Sequence, residues 1–129
     1  SLYFADSVHH VIRRVAPNGI IDTVIGDGTA GHSQDHSASR QAKINTPRGV
    51  DVGPDGTLFF TESGNNLIRC LTPAGELRTL AGCGEAGESD SSTASTARFN
   101  QLGGVRCYGD KHLVFSDQFN NRIKILRWR

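Results

Sequence analysis

Methionine is absent from this sequence, proline occurs only four times, and aromatic residues make up 7% of the chain. Long hydrophobic runs are also missing, because none approaches the roughly 20 apolar residues that a membrane-spanning helix requires. The first residues show no signal-peptide pattern. Since the chain also lacks an initiator methionine, we expect it to be a piece of a longer protein, and its compartment stays open.

Cysteine and excess charge are scarce as well. The three cysteines are an odd number without a CxxC pair, so no disulfide framework or zinc motif is indicated, although one disulfide remains open. We expect Cys70 and Cys107 to pack in strands like small apolar residues, and Cys83 to be a loop thiol. The net charge of +1 disfavours a nucleic-acid-binding tail and leaves only a local basic patch as a route to RNA.

What the sequence does contain is most regular between residues 49 and 80. Four short apolar runs occur there, at residues 50–52, 58–61, 67–71 and 77–80. Glycine, proline, asparagine and aspartate fill the gaps at 54–57, 63–66 and 72–75. Runs of this length and spacing are typical of strands joined by tight turns. The stretch therefore predicts one four-stranded antiparallel meander.

The same pattern recurs on both sides of this stretch. Leu2-Tyr3-Phe4 matches Leu58-Phe59-Phe60 and Leu113-Val114-Phe115, and the other strands and turns match at the same interval of about 55 residues. With the strands of one repeat lettered A to D, the chain reads B-C-D, A-B-C-D, A-B-C. The predicted divisions are 1–25 for strands B to D, 47–81 for a complete unit and 102–129 for strands A to C.

Four-stranded meanders repeated in this way form the blades of β-propellers, which close with roughly 4–8 blades. Residues 1–129 would supply about two and a half blades. We therefore predict an all-β fold, a partial β-propeller, with the remaining blades in a longer parent chain or a partner.

Two long segments, 26–46 and 82–101, connect strand D of one repeat to strand A of the next. In an up-and-down meander the B–C turns and the D–A connections lie on one face, so both loops are expected there. Loops this long are usually functional or disordered. Residues 38–43 and 93–98 are each predicted to form one short helical turn.

The motifs LYFADSVHHVIRRV, LFFTESGNNLIRCL and LVFSDQFNNRIKIL resemble NHL repeats, and the loops resemble the long-loop subclass of that family. The resemblance implies a six-bladed propeller and a role in binding RNA, proteins or glycans, although related propellers include metal-dependent lyases. One departure stands out, because copy one has His9-His10 where the others have Asn65-Asn66 and Asn120-Asn121. Histidine tolerates left-handed turn geometry less well than asparagine, so the conformation of the first turn stays open and this turn is the most individual spot on the loop-bearing face.

Several motifs permit chemistry without requiring it. The G-x-G-x-x-G spacing at 26–31 and 82–87 matches a dinucleotide fingerprint, but no parallel βαβ unit surrounds it. We expect these glycines to adopt positive φ in loop turns, with a phosphate-binding nest as the alternative. Imidazole and carboxylate side chains, which can bind zinc, are also expected on this face: His9, His10, His32, His36, Asp27 and Asp35. Solvated loop histidines explain them more simply, and no cofactor is predicted.

Charged residues also recur once per repeat. Asp6, Glu62 and Asp117 end strand B, and we expect them to cap backbone N–H groups of the B–C turn rather than to catalyse. Strand C carries a cation at the matching positions, Arg13, Arg69 and Lys124. We expect these cations to pair with neighbouring acids, with phosphate binding as the alternative.

The function that follows is a non-catalytic module that binds a protein, peptide or glycan through the loop-bearing face. The alternatives are a metal-dependent lyase or hydrolase propeller and an RNA-binding domain. The starts of strand A, Arg48-Gly49-Val50 and Gly103-Gly104-Val105, offer no acid or histidine to a metal on the axis, which favours binding. The predicted contact residues are His9, His10, Asp27, His32, Asp35, His36, Asn65, Asn66, Glu85, Glu88, Asn120 and Asn121.

Overall fold

The computed structural model describes residues 1–89 and 93–128. Residues 90–92 of the predicted loop 82–101 and residue 129 of the predicted division 102–129 lie outside the described residues. The described chain is built almost entirely of strands. They are β1 (Leu2–Asp6), β2 (Val11–Val15), β3 (Ile21–Ile25), β4 (Pro47–Val52), β5 (Leu58–Glu62), β6 (Leu67–Leu71), β7 (Leu77–Ala81), β8 (Leu102–Tyr108), β9 (His112–Asp117) and β10 (Arg122–Arg127).

Helical structure in the described residues is limited to single 3-10 turns at Ser39–Gln41, Ala94–Thr96 and Gln118–Asn120. The first two lie in the segments 38–43 and 93–98, which confirms the prediction of a short helical turn in each loop. None of the helical segments among the described residues has the length or the apolar character needed to cross a membrane.

The strands form three antiparallel sheets with the orders β1-β2-β3, β4-β5-β6-β7 and β8-β9-β10. We call them blade 1, blade 2 and blade 3. Blade 2 is a meander in which every strand pairs with its neighbour in sequence, as Leu58 with Leu71 and Cys70 with Arg78. The predicted all-β class and partial propeller fold, built from four-stranded meanders, is therefore confirmed.

Local chemistry explains the turns between strands. In the turn from β4 to β5, the Gly53 N–H donates to the Thr57 carbonyl over 2.8 Å, and the Asp55 carboxylate accepts the Thr57 N–H over 3.0 Å. Gly56 in the same turn has φ +91°, a conformation that side chains with a Cβ rarely adopt. This Asp-Gly pair therefore fixes the reversal that the sequence predicts.

The core lies between the blades, because alternate residues of each strand point to opposite faces of a sheet. On β5, Leu58 and Phe60 pack with the residues shared by blades 1 and 2, whereas Phe59 packs with those shared by blades 2 and 3. All five residues of β5 are buried as a result. Blade 2 thus has two covered faces, while the outermost strand of blade 3, β10, exposes most of its residues.

The strands at the inner edge approach each other closely. A Cβ at Gly49 of β4 would lie 2.7 Å from the Gly103 carbonyl oxygen of β8, so only glycine fits between these backbones. The buried Thr61 hydroxyl accepts the Gly49 N–H over 3.0 Å and donates to the Gly103 carbonyl over 2.7 Å. These contacts fix how blades 2 and 3 stack, and with that the spacing of the turns on each face.

The three cysteines are free thiols in the positions expected of them. Cys70 on β6 is buried, Cys107 on β8 is half-buried, and both contribute to the core between blades 2 and 3. Cys83 is exposed in the second long loop.

Candidate functional site

Each long loop begins by passing over the B–C turn of its own blade. A Cβ at Gly26 would lie 2.5 Å from the His10 carbonyl oxygen, and a Cβ at Gly82 would lie equally close to the Asn66 carbonyl oxygen. Both glycines have positive φ, +107° and +104°, as do Gly28 and Gly84. This confirms that glycines of the G-x-G-x-x-G spacing serve loop turns, although Gly31 does not have positive φ.

The two loops then fold in the same way. In loop 1 (residues 26–46) the Gly26 N–H donates to the Ser39 carbonyl, and in loop 2 (residues 82–101) the Gly82 N–H donates to the Ala94 carbonyl. Both distances are 2.9 Å. Because each loop is closed onto its own 3-10 turn by backbone hydrogen bonds, it presents a defined surface. We call the surface formed by the B–C turns 7–10, 63–66 and 118–121, together with the parts of loops 1 and 2 that lie beside these turns, the loop face.

The three B–C turns have one conformation, so the first turn, left open by the sequence, is like the other two. His10, Asn66 and Asn121 have φ of 56°, 55° and 55°, all in the left-handed region. Histidine therefore adopts the backbone geometry that asparagine adopts in the other copies. The hydrogen bond that the turn makes through His10 outweighs the weaker intrinsic preference of histidine for this region.

The side chain of His10 also makes the contact that its asparagine counterpart makes. His10 Nδ1 accepts the Thr46 N–H over 3.0 Å, at the start of strand A of blade 2. Asn66 Oδ1 accepts the Gln101 N–H over 3.4 Å, at the start of strand A of blade 3. A nitrogen that accepts carries no proton, so the contact assigns His10 the neutral tautomer with its proton on Nε2. Each turn thereby ties its own blade to the next.

The recurring acid of blade 2 is the centre of a buried network. The Glu62 carboxylate accepts the Asn45 N–H over 3.0 Å, Asn65 Nδ2 over 2.7 Å and Arg69 Nη1 over 3.1 Å. The side chains of Glu62 and Arg69 are both fully buried. This carboxylate is satisfied by donors on every side, and it joins a turn, a strand and a loop.

Blade 3 repeats the arrangement with different residues. The Asp117 carboxylate accepts the Asn100 N–H over 2.7 Å and Asn120 Nδ2 over 2.8 Å, and it lies 3.3 Å from Lys124 Nζ. The expected pairing of strand-C cations with neighbouring acids is therefore confirmed. The expected capping of the B–C turn backbone is wrong, because the N–H groups that these acids accept belong to the loops before strand A.

In blade 1 the same acid is less buried. The Asp6 carboxylate accepts from His9 Nδ1 over 2.9 Å and from Arg13 Nε over 2.9 Å. The hydrogen bond from His9 and the adjacent Arg13 guanidinium lower the pKa of Asp6, against a smaller opposing effect of burial. His9 therefore replaces Asn65 and Asn120 as the turn donor to the acid.

Two clefts on the loop face occupy matching positions in blades 1 and 2. The first, of about 370 Å³, is lined by His9 and Asp27 together with Arg13, Thr23 and Arg40. The second, of about 490 Å³, is lined by His32 and Asn65 with Thr79, Gly82, Cys83 and Gly84. In the first cleft, hydrogen bonding to Lys43 and then to the Thr29 N–H lowers the pKa of Asp27. Each cleft thus brings together two of the predicted contact residues.

Asp35 and His36 lie away from the loop face, which corrects their predicted placement. The His36 N–H donates to the carbonyl of Leu77, which begins β7 at the end of the blade opposite the B–C turn. The His36 imidazole pairs with Glu76, and the Asp35 carboxylate accepts Thr79 Oγ1 over 2.7 Å. Partial burial acts to raise the pKa of Asp35, but the hydrogen bonds from Thr79 and Arg69 outweigh it and the pKa is lowered. Loop 1 therefore runs down the outside of blade 2.

The acids of loop 2 form ion pairs of their own. Glu85 lies 2.9 Å from Arg98 within the loop, and Glu88 lies 3.6 Å from Arg122 and 3.4 Å from Lys124 on β10. Among residues 1–89 and 93–128, no three histidine, cysteine, aspartate or glutamate side chains meet in an arrangement able to hold a metal ion. The candidate zinc ligands are dispersed between the loop face and the outside of blade 2.

A further cleft, of about 520 Å³, lies on the opposite side of blades 2 and 3. It is lined by Asp55, Cys70, Cys107, His112 and Trp128 among others. The Trp128 and Phe59 rings pack with their centroids 5.3 Å apart. No sequence pattern indicates this cleft, because its walls come from two blades and consist of residues that each fit ordinary strand and turn positions.

No protein-family model matches the chain. The chain is similar to Teneurin-m from Drosophila melanogaster, with 28% identity over 132 residues covering 89% of this chain and 5% of that protein. Among solved structures it is similar to a protein of unknown function from Bacteroides thetaiotaomicron, with 23% identity, a TM-score of 0.83 and coverage of 96% of this chain and 32% of the other. An auxiliary nutrient binding protein from the same species has 25% identity, a TM-score of 0.75 and coverage of 94% and 33%.

The similarity extends more distantly to virginiamycin B lyase from Staphylococcus aureus, with 18% identity, a TM-score of 0.52 and coverage of 98% of this chain and 37% of the lyase. The chain therefore spans about a third of the solved structures that it resembles. These neighbours include a binding protein and an enzyme on similar strands, so the likeness establishes a propeller-like fold and leaves the activity to the site.

Proposed function

We propose that this chain is part of an NHL-type propeller of the long-loop subclass, and that its loop face binds a protein, peptide or glycan without catalysis. The observation that carries the proposal is the rigid, repeated construction of this face. Loops 1 and 2 are closed by the same backbone hydrogen bonds, and His10 and Asn66 tie the blades together there. Pre-ordered loops on a rigid scaffold lose little entropy on binding, which favours recognition.

The charged residues support binding over chemistry. Glu62 and Asp117 are fully buried and engaged by loop N–H groups and strand-C cations, so they are unavailable to a substrate. Asp6 is held by His9 and Arg13. The auxiliary nutrient binding protein at 25% identity supports a binding role on this architecture. The lyase at 18% identity keeps a metal-dependent enzyme as the alternative to be tested.

The test is a binding screen followed by face-specific variants. Purified chain would be applied to a glycan array and to a displayed peptide library, and the affinity of each hit measured by calorimetry. We expect His9→Ala, or a loop 1 shortened between Gly28 and Lys43, to weaken binding at least about tenfold, which corresponds to about 1.4 kcal/mol.

Ala74→Ser on the opposite side is the control, and it should leave affinity unchanged. Asp55→Ala tests the opposite cleft, and a hit that responds only to Asp55→Ala would place the site there and contradict the proposal. Metal analysis provides the second arm. Zinc bound stoichiometrically through His9, His10, His32 or His36, with a turnover reaction that depends on it, would favour the enzyme instead.

A further inference from the structure

Loop 1 crosses the outer surface of blade 2 through a defined series of contacts. The Gly31 carbonyl accepts Asn65 Nδ2 over 2.9 Å at the B–C turn. Four residues later the Asp35 carboxylate accepts Arg69 Nη2 over 3.2 Å on β6 and Thr79 Oγ1 over 2.7 Å on β7. The next residue, His36, donates its N–H to the Leu77 carbonyl of β7 over 2.8 Å. Turn, strand C and strand D of the blade thus each hold one point of the loop.

Loop 2 makes the corresponding contacts on blade 3. The Gly87 carbonyl accepts Asn120 Nδ2 over 2.7 Å, and the Ser89 carbonyl accepts Lys124 Nζ over 2.6 Å. The Glu88 carboxylate lies 3.4 Å from the same Nζ. The same two contacts therefore occur on blades 2 and 3. A loop carbonyl accepts a hydrogen bond from the asparagine of the B–C turn, and an acidic loop residue pairs with the cation of strand C.

Blade 1 has the matching surface, but no loop lies on it within the described residues. The side chain of Arg13 is 32% exposed, whereas its counterpart Arg69 is fully buried beneath Asp35. Ile21 at the start of β3 is 56% exposed, whereas its counterpart Leu77 is fully buried beside loop 1. Arg69 and Leu77 are buried because loop 1 covers them on blade 2, whereas no described segment covers Arg13 and Ile21 on blade 1.

The chemistry of this surface defines what it would hold. Arg69 engages two carboxylates, Glu62 on the inside and Asp35 on the outside. Arg13 donates through Nε to Asp6 over 2.9 Å and through Nη1 to Thr23 Oγ1 over a long 3.5 Å. A guanidinium has five N–H donors, so a carboxylate on the outer side would find donors there, as Asp35 does on Arg69. Arg40 lines the same cleft and adds positive charge. A carboxylate on an extended backbone complements both features.

We propose that the outer surface of blade 1, formed by His9, Arg13, Thr23 and Ile21, binds an extended polypeptide segment that carries a carboxylate. The occupant is a second inter-blade loop of the loop 1 kind, with glycine followed four residues later by aspartate. Its carbonyl lies at the His9 turn, its carboxylate at Arg13 and Thr23, and its next N–H at the Ile21 carbonyl. This surface shares His9, Arg13 and Thr23 with the first cleft of the loop face, and it extends along β2 and β3 to Ile21 at the far end of the blade.

The first experiment uses the chain with a capped peptide of residues 29–38, TAGHSQDHSA, at millimolar concentration. Hydrogen–deuterium exchange read by mass spectrometry should show protection of residues 11–25. Residues 67–81 serve as the internal control, since their own loop already covers them. Replacing the peptide aspartate by asparagine should weaken binding roughly tenfold, because a charge-assisted hydrogen bond is lost.

Two matched controls separate this site from simple anion binding. Arg13→Gln in the protein should abolish the difference between the aspartate and asparagine peptides. Acetate at the same carboxylate concentration should give no protection. Protection by acetate equal to that by the peptide, or peptide protection confined to residues outside 9–25, would overturn the proposal.

The second experiment supplies the segment in the same chain. Duplicating residues 26–56 ahead of Ser1 preserves the repeat interval and places the copied loop against blade 1. The copied His36 amide should exchange as slowly as the original His36 amide, and Arg13→Gln should accelerate the copy only. The original loop reports folding within the same sample. Rapid exchange of the copied amide beside a protected original, or no peptide protection in the first experiment, would each contradict the proposal.

Discussion

Histidine can replace the turn asparagines of this fold because the first position needs only a hydrogen-bond donor and the second needs only an acceptor. The first turn position needs a donor to the strand-B acid, supplied by His9 Nδ1, Asn65 Nδ2 and Asn120 Nδ2. The second needs an acceptor for a loop N–H, supplied by His10 Nδ1 or Asn66 Oδ1. An imidazole nitrogen can either donate or accept a hydrogen bond, so adjacent histidines meet both needs.

This division of roles predicts how His10 can be replaced. His10→Asn should keep the Thr46 amide as protected as in the parent chain, because asparagine supplies an acceptor and favours positive φ. His10→Gly keeps the backbone conformation but removes the acceptor, so Thr46 exchange should be about fivefold faster, equivalent to about 1 kcal/mol. Amide exchange read by NMR or mass spectrometry checks both. Equal protection in the asparagine and glycine variants would show that Nδ1 contributes nothing.

The cysteines should differ sharply in reactivity. Burial, followed by the Asp51 carboxylate near the thiol, raises the pKa of Cys107 to about 11. Only about one Cys107 in a thousand is then a thiolate at pH 8, and the thiolate is the reactive form. Alkylation at pH 8 should label exposed Cys83 first, with Cys107 at least about tenfold slower even after its greater nucleophilicity is counted. Labelling of Cys107 should accelerate as pH rises toward 11, and a rate independent of pH would contradict this.

At the scale of elements, one acid–cation pair per blade joins strand B to strand C, and its burial differs among the blades. Glu62 and Arg69 are fully buried, Asp117 is fully buried beside Lys124, and Asp6 keeps 23% of its side chain exposed. Removing one partner of a buried pair leaves the other charge without compensation, which costs far more than an exposed pair contributes. The contribution of each pair to the free energy of unfolding should therefore increase with the burial of that pair, although all three pairs occupy equivalent positions in the repeat.

Neutralising the acids one at a time tests this gradient. Glu62→Gln should destabilise the chain by about 3 kcal/mol and lower its melting temperature by about 10 °C, because Arg69 stays buried and keeps only the partly exposed Asp35 as a charged partner. Asp6→Asn should have a much smaller effect, because water already reaches Asp6 and Arg13. Thermal melting followed by circular dichroism at one protein concentration compares them. Equal shifts for both variants would mean that the buried pair is not the source of the stability.

The strands were predictable from sequence because alternation and turn residues are local signals, and three copies of each reinforce one another. The recurring acids and cations were also visible, and their pairing followed from matching numbers. Their hydrogen bonds to Asn45 and Asn100 were not predictable, because those N–H groups arrive on loops without periodicity. The positions of Asp35 and His36 were missed for the same reason. Topology fixes where a loop starts and ends, whereas side-chain contacts with β6 and β7 fix its course.

At the scale of the whole molecule, blade 2 has four strands and is covered on both faces, whereas blades 1 and 3 each have only three strands in the described chain. β1 lacks a strand on its inner side and β10 lacks one on its outer side. Ile123 and Ile125 on β10 are 73% and 62% exposed, and Leu2 on β1 is 66% exposed. Exposed strand edges that carry large apolar side chains pair readily with other chains.

The chain produced by itself should therefore associate rather than remain monomeric. Sedimentation velocity at increasing concentration should show species larger than the monomer, with a melting transition that depends on concentration. Ile123→Lys with Ile125→Lys should reduce the association, because charged residues on an edge strand oppose pairing. A matched pair of substitutions at exposed positions away from this edge, Val8→Lys with Ile20→Lys, should reduce it less. A monodisperse monomer with a sharp, concentration-independent melt would mean that two covered faces of one blade suffice, and that the open edges of β1 and β10 do not attract further strands.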